Sequence, residues 1–331
     1  EHTNIVFFAN KEKWKTDERV YKSLQYIKSS ETIIKEEIEK HDIIIMQGLS
    51  YEKAKLISKV NFKGKVLIWA LWGYGLYNYV SYCSVNPIKQ FISNLKHGFI
   101  HALKNHYAFR VVYKKAIEKV NICLFLLEYD FRLLKKHIKT FPEWHSGYYQ
   151  TLTNLTNNNI DFKVFGNNIL IGNSSTPSNN HNEVFLCLNV DKLDNSRKIV
   201  CPLSYGDTQY RKTVIKKGLE YFGNAFEPLT EFMSLQDYQI VLQKCSHVIM
   251  FYIHLQAFGT ILVMVYGGSK VFLREENPLF PWLLNLGIKV YSIEKDIAKE
   301  IYAPMNRETA IQNRSIIENY FTEQKVLDKL D

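Results

Sequence analysis

The chain has 331 residues, 46% of them apolar and 14% aromatic, and carries a formal net charge of +9. This length and composition favour a soluble globular protein that buries a sizeable core and has room for two domains of ordinary size. Five cysteines occur singly, without a CxxC pair or a His cluster at metal-ligand spacing, which argues against a disulfide framework or a zinc site and for reduced, buried thiols in a cytoplasmic protein.

Positive charge is concentrated in residues 51–150, where Lys and Arg greatly outnumber Asp and Glu, whereas residues 151–331 are close to neutral. Such asymmetry indicates a partner with phosphates or an anionic surface, or a solvated lysine-rich face. The first residue is Glu1, and no charged-then-apolar signal segment follows it. We therefore expect the chain to start inside a larger gene product.

Short apolar strands alternate with helical patterns in the first half of the chain. Strands are predicted at 4–9, 42–46, 65–69 and 121–127, and helices at 17–27, around 51–60 and from 128 through 136. Strands that are apolar on both faces and alternate with helices predict a parallel sheet covered on both sides.

An aromatic turn with two glycines, Trp69–Tyr77, follows the third of these strands. Ligands of open α/β sheets bind at the carboxyl ends of the strands. Trp72, Gly73 and Tyr77 are therefore candidates for binding an acceptor, although any of these aromatic rings could instead belong to a core corner.

Residues 87–119 are predicted to form one basic amphipathic helix. Apolar and aromatic residues recur at helical spacing, and seven Lys and Arg residues accompany them with Glu118 as the only acid: Lys89, Lys96, Lys104, Arg110, Lys114, Lys115 and Lys119. This pattern suits an anionic membrane surface or a polyprenyl-phosphate carrier. A core-facing helix with a solvated face would show the same pattern.

Three residues near the end of the first half are candidates for a general base that removes an acceptor proton. Asp130 lies where a helix N-cap belongs, Glu128 precedes it by two residues, and His145 lies in a predicted loop near the domain boundary. Asp130 could cap its helix, act as the base, or do both. The polar run 151–159 is predicted to be a linker between domains at 1–150 and 160–331.

A strand, a turn of small polar residues and a helix opening at Ser178 are predicted in succession within 168–190. Gly172 lets the backbone approach a ligand, hydroxyls follow it, and helix N–H groups would point at an anion. A diphosphate fits such a place. An N-cap before a surface helix, with an ordinary loop ahead of it, is the simpler alternative.

The rest of the chain alternates regularly and predicts a second doubly wound unit. Strands are predicted at 168–172, 198–203, 247–253, 270–273 and 288–291, with helices near 178–190, 207–222, 234–244, 259–266 and 278–286. The uncharged run Ser246–Gly268 has transmembrane length, but His254, Gln256 and Gly259 interrupt it, so it is interpreted as a buried strand, a loop and a buried helix. Gln256, Gly259 and Thr260 then form a second strand-to-helix junction at the edge that carries Gly172.

Together these segments resemble the TDP-N-acetylfucosamine:lipid II N-acetylfucosaminyltransferases, glycosyltransferase family 56, also called the 4-alpha-L-fucosyltransferase family. The resemblance lies in the order and spacing of Gly172-Asn173-Ser174, Ser178-Asn179-Asn180-His181, Pro202-Leu203-Ser204-Tyr205-Gly206, Gln256 with Gly259-Thr260, Arg274-Glu275-Glu276-Asn277-Pro278, the Trp69–Tyr77 turn and Asp130. The chain departs from the family at Gly75, where an acid is usual, at His254, where an arginine is usual, and at Tyr129, where a glycine is usual. The opening βα unit of the family is expected to be absent.

The resemblance implies a GT-B architecture, with two facing Rossmann-like domains, an acceptor site in the first and a nucleotide-sugar site in the second. Donor-binding candidates are Gly172, Asn173, Ser174, Asn179, His181, Tyr205, Gly206, Gln256, Gly259, Thr260, Glu276 and Asn277. It also implies transfer of a deoxy-amino or fucose-like sugar, most simply from a TDP-sugar, to a saccharide acceptor linked to polyprenyl diphosphate. The enzyme would need no metal or other cofactor and would work at the inner face of the plasma membrane, in bacterial surface polysaccharide synthesis.

A protein of another class, a non-catalytic binder of nucleotides or RNA, would also explain the positive charge with interleaved Tyr and Phe. RNA-module signatures are missing from the sequence, so nucleic acid is not the expected partner.

Overall fold

A computed structural model of the chain describes residues 4–8, 24–28, 31–71, 74–95, 98–140, 142–147, 151–188 and 196–328. The architecture is mixed α/β with parallel sheets, and the chain divides into two compact units, Glu1–Gly147 and Tyr148–Asp331. Trp72 and Gly73, two of the predicted acceptor residues, lie outside the described residues.

Unit 1 contains two parallel sheets. Its strands are β1 (Asn4–Phe8), β2 (Leu24–Lys28), β3 (Ile43–Gln47), β4 (Val66–Ala70), β5 (Ile122–Phe125) and β6 (Glu143–Ser146). β1 pairs with β2, and β3 to β6 lie side by side in chain order. The helices are α1 (Glu31–Lys40), α2 (Tyr51–Lys59), α3 (Tyr74–Ser84), α4 (Pro87–Leu95), α5 (Phe99–Tyr107), α6 (Lys114–Ile117) and α7 (Glu128–Lys135), with a π-helical stretch at Ala108–Tyr113.

The centre of the larger sheet in unit 1 is apolar, as the sequence predicts. Trp69 on β4 and Phe125 on β5 are fully buried, and their rings meet edge to face with centroids 5.1 Å apart. A helix follows each of β3, β4 and β5. The amino ends of α2, α3 and α7 therefore come after the carboxyl ends of these strands in the chain.

Two of the helix predictions for unit 1 are wrong. The helix predicted over 17–27 is contradicted at its end, because Leu24–Lys28 pairs with β1 as a parallel strand; residues 17–23 lie outside the described residues. The predicted helix Pro87–Lys119 is broken between α4 and α5, where Gly98 has φ +103°, a conformation incompatible with a continuous right-handed helix.

Unit 2 contains one six-stranded parallel sheet. Its strands are β7 (Asn168–Ile171), β8 (Ile199–Pro202), β9 (Phe226–Leu229), β10 (Cys245–Met250), β11 (Lys270–Leu273) and β12 (Tyr291–Ser292). The spatial order is β12-β11-β10-β7-β8-β9, so the sequence order reverses between β7 and β10. This is the doubly wound order 3-2-1-4-5-6, in which the crevice outside the reversal point is the usual ligand site.

Helices connect the strands of unit 2. They are α8 (Leu152–Leu155), α9 (His181–Cys187), α10 (Thr208–Phe222), α11 (Leu235–Gln243), α12 (Phe258–Gly267), α13 (Leu279–Asn285), α14 (Ile297–Glu300), α15 (Arg307–Tyr320) and α16 (Glu323–Leu327), with 3-10 turns at Pro177–Asn179 and Gly223–Ala225. Every residue of β10 and β11 is buried, as expected for strands covered on both faces.

The structure differs from the prediction in three parts of unit 2. β9 was missed because Glu227 and Pro228 interrupt its apolar pattern, which an edge strand tolerates. The run 151–159, predicted to be a linker, contains α8, whose Thr151 and Asn154 form a capping box. α9 begins at His181 rather than Ser178, because a 3-10 turn and the left-handed residue Asn180 precede it.

The uncharged run Ser246–Gly268 forms β10, a loop and α12, as predicted. Among the helices of the described residues, none is both long and apolar enough to cross a bilayer. The five cysteines are free thiols, of which Cys123, Cys201 and Cys245 are buried, whereas Cys187 is exposed, so the expectation of burial is wrong for Cys187.

Candidate functional site

The turn after β7 and the loop after β10 meet at the reversal point of the unit 2 sheet. The side-chain amide of Gln256 connects them: its Nε2 donates to Asn173 Oδ1 over 2.8 Å, and its Oε1 accepts from Ser178 Oγ over 3.2 Å. The Tyr252 hydroxyl donates to the Gln256 backbone carbonyl over 2.8 Å and so fixes the loop after β10. These bonds bring together predicted donor residues that are 83 positions apart.

Gly172 occupies a position that only glycine fills without strain. Its φ is +67°, and a Cβ there would lie 2.8 Å from both Asn179 Oδ1 and His181 Nε2. The chain therefore turns sharply at the end of β7 and passes close over the Asn179 and His181 side chains.

Ser174 and Asn179 shape this turn from inside. Both are buried, and the Asn179 amide accepts from the Asn173 backbone N–H over 3.1 Å and donates to Ser174 Oγ over 3.2 Å. Since these polar groups are paired with one another, we assign them to positioning Asn173 and not to contacting a ligand.

The turn after β8 joins the same place. Ser175 forms a bridge with Gly206, and its backbone N–H and its hydroxyl donate to the Tyr205 carbonyl over 2.8 and 2.6 Å. The Tyr205 hydroxyl accepts from Asn173 Nδ2 over 3.0 Å, while the residue stays 53% exposed. Asn173, Gln256, Tyr205 and Gly206, predicted as donor-binding residues, are thus adjacent.

His181 is buried beneath this turn as a neutral imidazole. The Tyr210 hydroxyl oxygen accepts from the His181 backbone N–H over 3.0 Å and is hydrogen-bonded to the ring Nδ1 over 3.3 Å. Burial lowers the pKa of His181 to about 4. Nε2 has no hydrogen-bond partner among the described residues, which leaves a buried polar atom beside Gly172.

The amino end of α12 completes this group. Ala257, at φ +50°, turns the chain into the helix, and Gly259 and Thr260 lie in its first turn, where N–H groups have no intrahelical acceptor. Thr260 is hydrogen-bonded to Tyr238, whose pKa burial raises. α12 is ten residues long, so its amino end carries a useful partial positive charge.

Glu276 and Asn277 do not join the group directly. Asn277 is fully buried and donates to the Tyr252 carbonyl over 3.0 Å, so it fixes the loop that carries Gln256. Glu276 is exposed and pairs with Arg274 over 2.7 Å. The sequence does not predict the roles of Tyr210 and Tyr252, because their neighbours in the chain do not indicate that they contact His181 and Gln256.

In unit 1, the structure pairs two predicted residues, Tyr77 and Asp130. The Tyr77 hydroxyl donates to Asp130 Oδ1 over 2.6 Å, and both residues lie in helices that follow neighbouring strands, β4 and β5. Asp130 is not the N-cap, which is Leu127, but the third residue of α7, and it is fully buried. Burial raises the pKa of Asp130 to about 6, and the Tyr77 hydrogen bond opposes that rise.

The other two candidate bases are placed differently. Glu128 is the first residue of α7, where it is exposed and forms a bidentate ion pair with Arg132 at 3.0 Å. His145 lies in β6, not in a loop, and is exposed beside Glu143 at 3.5 Å. Of the three candidates, Asp130 is the one whose carboxylate accepts a hydrogen bond from Tyr77 among the described residues.

One surface cleft of unit 1 lies apart from the paired Tyr77 and Asp130. A cleft of about 490 Å³, lined by residues that include Lys59, Lys63 and Lys119, lies at the amino ends of β4 and β5, away from Tyr77 and Asp130. Within the described ranges, no three His, Cys, Asp or Glu side chains are placed so that they could hold a metal ion.

Solved structures with a similar fold include glycosyltransferases. Anabaena HepE, crystallised with UDP and glucose, is 9% identical with a TM-score of 0.61, over 93% of this chain and 84% of HepE. WaaG, a glycosyltransferase involved in lipopolysaccharide biosynthesis, is 10% identical with a TM-score of 0.55, over 99% of this chain and 89% of WaaG. A mutant of S. aureus TarM, bound to fondaparinux, alpha-GlcNAc-glycerol and UDP, is 14% identical with a TM-score of 0.58, over 92% of this chain and 58% of TarM.

At these identities the similarity shows the fold, which is GT-B-like. A search of curated proteins finds no match. The model of the 4-alpha-L-fucosyltransferase family matches residues 96–326, which includes the turns after β7, β8 and β10 as well as Asp130. The chain therefore belongs to the 4-alpha-L-fucosyltransferase family, glycosyl transferase group 56, and is a glycosyltransferase.

Proposed function

We propose that this enzyme transfers a deoxy-amino or fucose-like sugar from a TDP-sugar to a saccharide linked to polyprenyl diphosphate, at the inner face of the bacterial plasma membrane, for surface polysaccharide synthesis. The observation that carries the proposal is the Asn173–Gln256 hydrogen bond across the reversal point of unit 2. It places two strand-to-helix turns side by side in a member of a fucosyltransferase family.

The donor diphosphate would lie between the Asn173 turn and the amino end of α12. The N–H groups of Gly259 and Thr260, at the positive end of the helix dipole, favour negative charge there. Nε2 of buried His181, which has no partner among the described residues, lies beside Gly172 at the same turn. Fixed N–H donors stabilise the charge that develops on the leaving diphosphate. Tyr205, exposed and bonded to Asn173, is assigned to the nucleoside.

A thermal-shift screen with TDP-, UDP- and GDP-sugars tests the donor. Selective stabilisation by a TDP-sugar is expected, because a ligand that binds only the folded protein raises its Tm. Asn173→Ala and Thr260→Val should weaken donor binding at least tenfold, whereas Asn285→Ala and Thr213→Val, which alter exposed residues on α13 and α10, should not. Wild-type donor affinity and turnover in the first two variants would refute this site, and stabilisation by UDP- or GDP-sugars alone would refute TDP.

The membrane part of the proposal rests on the surface of α4 and α5. These helices pack against each other yet expose large apolar side chains: Ile88 (70%), Ile92 (59%), Phe99 (62%), Ile100 (68%) and Leu103 (47%). Lys89 and Lys104 are exposed on the same helices. Apolar side chains flanked by lysines match the two parts of an anionic bilayer surface, its acyl boundary and its headgroups.

Two of the basic residues in 87–119 have structural roles instead. Arg110 donates to the Val85 carbonyl over 3.0 Å at the end of α3, and Lys119 donates to the carbonyls of Ile57, Ser58 and Val60 over 2.7 to 3.0 Å at the end of α2. Lys96 lies outside the described residues. The proposed membrane charge is therefore carried by Lys89 and Lys104, with the exposed Lys115 nearby.

Liposome co-sedimentation tests this surface. The Ile88→Ser/Phe99→Ser/Ile100→Ser variant should lose most of its binding to anionic vesicles, and Lys89→Gln/Lys104→Gln should lose about fivefold per lysine, since each is worth about 1 kcal/mol near such a surface. Phe232→Ser, which removes an 87% exposed ring from unit 2, is the matched control and should bind normally. Equal binding to neutral and anionic vesicles, or binding to neither, would refute the proposal.

A further inference from the structure

Asp130, the candidate base, is placed where a substrate cannot touch it. Its side chain has no exposed surface, whereas Tyr77, which donates to its Oδ1 over 2.6 Å, is only partly buried. α3 and α7 carry these residues and start at the carboxyl ends of adjacent strands, the edge at which α/β proteins bind ligands. A ligand at this edge would therefore reach Tyr77 before it reached the carboxylate.

We propose that Tyr77 is the residue that meets the acceptor hydroxyl, and that Asp130 acts through it as the final proton acceptor. The acceptor proton passes to the Tyr77 oxygen while the Tyr77 proton passes to Asp130 Oδ1. The acceptor oxygen forms its bond to the anomeric carbon as the bond from that carbon to the diphosphate oxygen breaks, and the diphosphate leaves with the electron pair. Asp130 later returns its proton to solvent through Tyr77. This inference rests on the proposed sugar transfer.

The pair is suited to this role by its hydrogen bond and its surroundings. A distance of 2.6 Å is typical of an O–H donating to a carboxylate, so the path between the two oxygens is already formed. Burial raises the pKa of Asp130 to about 6, which makes this carboxylate a better proton acceptor than an exposed one. Within the described part of the chain, Oδ2 accepts no hydrogen bond, so the negative charge is not dispersed over further donors.

The charged groups on the surrounding elements do not account for this pKa. On α7 itself, Glu128 and Arg132 pair with each other at the exposed surface. On α3, the group that acts on the pKa of Asp130 is the Tyr77 hydroxyl, which lowers it. Removing that hydroxyl should therefore raise the pKa of Asp130 further, an effect that a purely structural tyrosine elsewhere would not have.

The test compares Tyr77→Phe and Asp130→Asn with the neighbouring Tyr129→Phe. We expect kcat to fall at least 100-fold in the first two, with the KM for the donor within twofold and the far-UV circular dichroism unchanged, because general base catalysis is typically worth 100-fold or more. Tyr129 is 48% exposed on α7, and Tyr129→Phe should be fully active. The double variant should be no slower than either single variant, since the two groups act as one unit.

A pH profile separates the relay from a structural role. Wild-type kcat should rise with pH through about 6, where Asp130 ionises, and this rise should be absent from the residual activity of Tyr77→Phe and of Asp130→Asn, because neither variant can pass the acceptor proton to a carboxylate at residue 130. Near-wild-type kcat in Tyr77→Phe, with wild-type enzyme active on a nucleotide-sugar, would overturn the relay and leave the transferase intact. An absence of turnover by the wild-type chain with every nucleotide-sugar would overturn the proposed function and the relay together.

Discussion

His247, at the start of β10, makes the stability of unit 2 depend on pH. The residue is fully buried, its Nδ1 accepts from Arg197 over 2.7 Å, and its Nε2 donates to the Ala303 carbonyl over 3.0 Å. Burial first, and then the nearby Arg197 charge, lower the pKa of His247 from its ordinary 6.5 to about 3. A protonated ring would lose the Arg197 contact and place two positive charges together.

The sign of the effect follows from this lowered pKa. The unfolded chain takes up a proton at His247 near pH 6.5, whereas the folded chain resists it until about pH 3, so acid favours unfolding between these values. At pH 5, which is about 1.5 pH units below the ordinary pKa, protonation of the unfolded chain lowers the free energy of unfolding by about 2 kcal/mol. Below about pH 3 no further loss arises from this group.

Urea denaturation at pH 7 and pH 5 measures the effect, with His247→Gln as the comparison. Glutamine is neutral at both pH values and can still offer an amide to Arg197 and Ala303. We expect the free energy of unfolding to fall about 2 kcal/mol more in the wild type than in His247→Gln. Other titrating groups, such as buried His181, are common to both chains and cancel. If His247→Gln does not fold, His247→Asn serves the same purpose.

An equal loss of stability in both chains would refute the reasoning. It would mean that the folded chain protonates His247 as readily as the unfolded chain does, and therefore that the contacts with Arg197 and Ala303 do not hold the neutral ring.

Three further predictions concern substitutions whose effect on stability depends on the groups next to the altered residue. Gly218→Ala should lower Tm because the added Cβ in α10 would overlap the Phe226 ring, although alanine favours a helix over glycine by about 1 kcal/mol. Adding Phe226→Leu to this variant should partly restore Tm. Gly172→Ala should destabilise more than Gly64→Ala in urea titrations: both have φ near +70°, but only the former meets Asn179 and His181 at 2.8 Å. Lys119→Met should lower Tm by leaving three carbonyls at the end of α2 without their shared donor, whereas Lys63→Met, at an exposed residue, should not.

The sequence predicts which segments of the chain contribute to the candidate donor site. The turn at Gly172 and the junction at Gln256–Thr260 follow apolar strands, and glycine with small polar residues marks both places. The structure confirms the strands and places Asn173 beside Gln256 and Tyr205. The predicted direct roles of Ser174, Asn179 and Asn277 are less well supported, because their polar groups are paired within the protein.

The sequence by itself determined most of the alternation of strands and helices, the parallel character of the sheets and the positions of the turns after β7 and β10, since these depend on neighbours within a few residues. It could not determine which turns meet, because the order β12-β11-β10-β7-β8-β9 is decided by long-range packing of whole strands. Nor could it show that Asp130 is buried against Tyr77 or that His181 lies neutral beneath Gly172. Burial and protonation are set by groups that are distant in the chain, and only the tertiary structure brings those groups into contact.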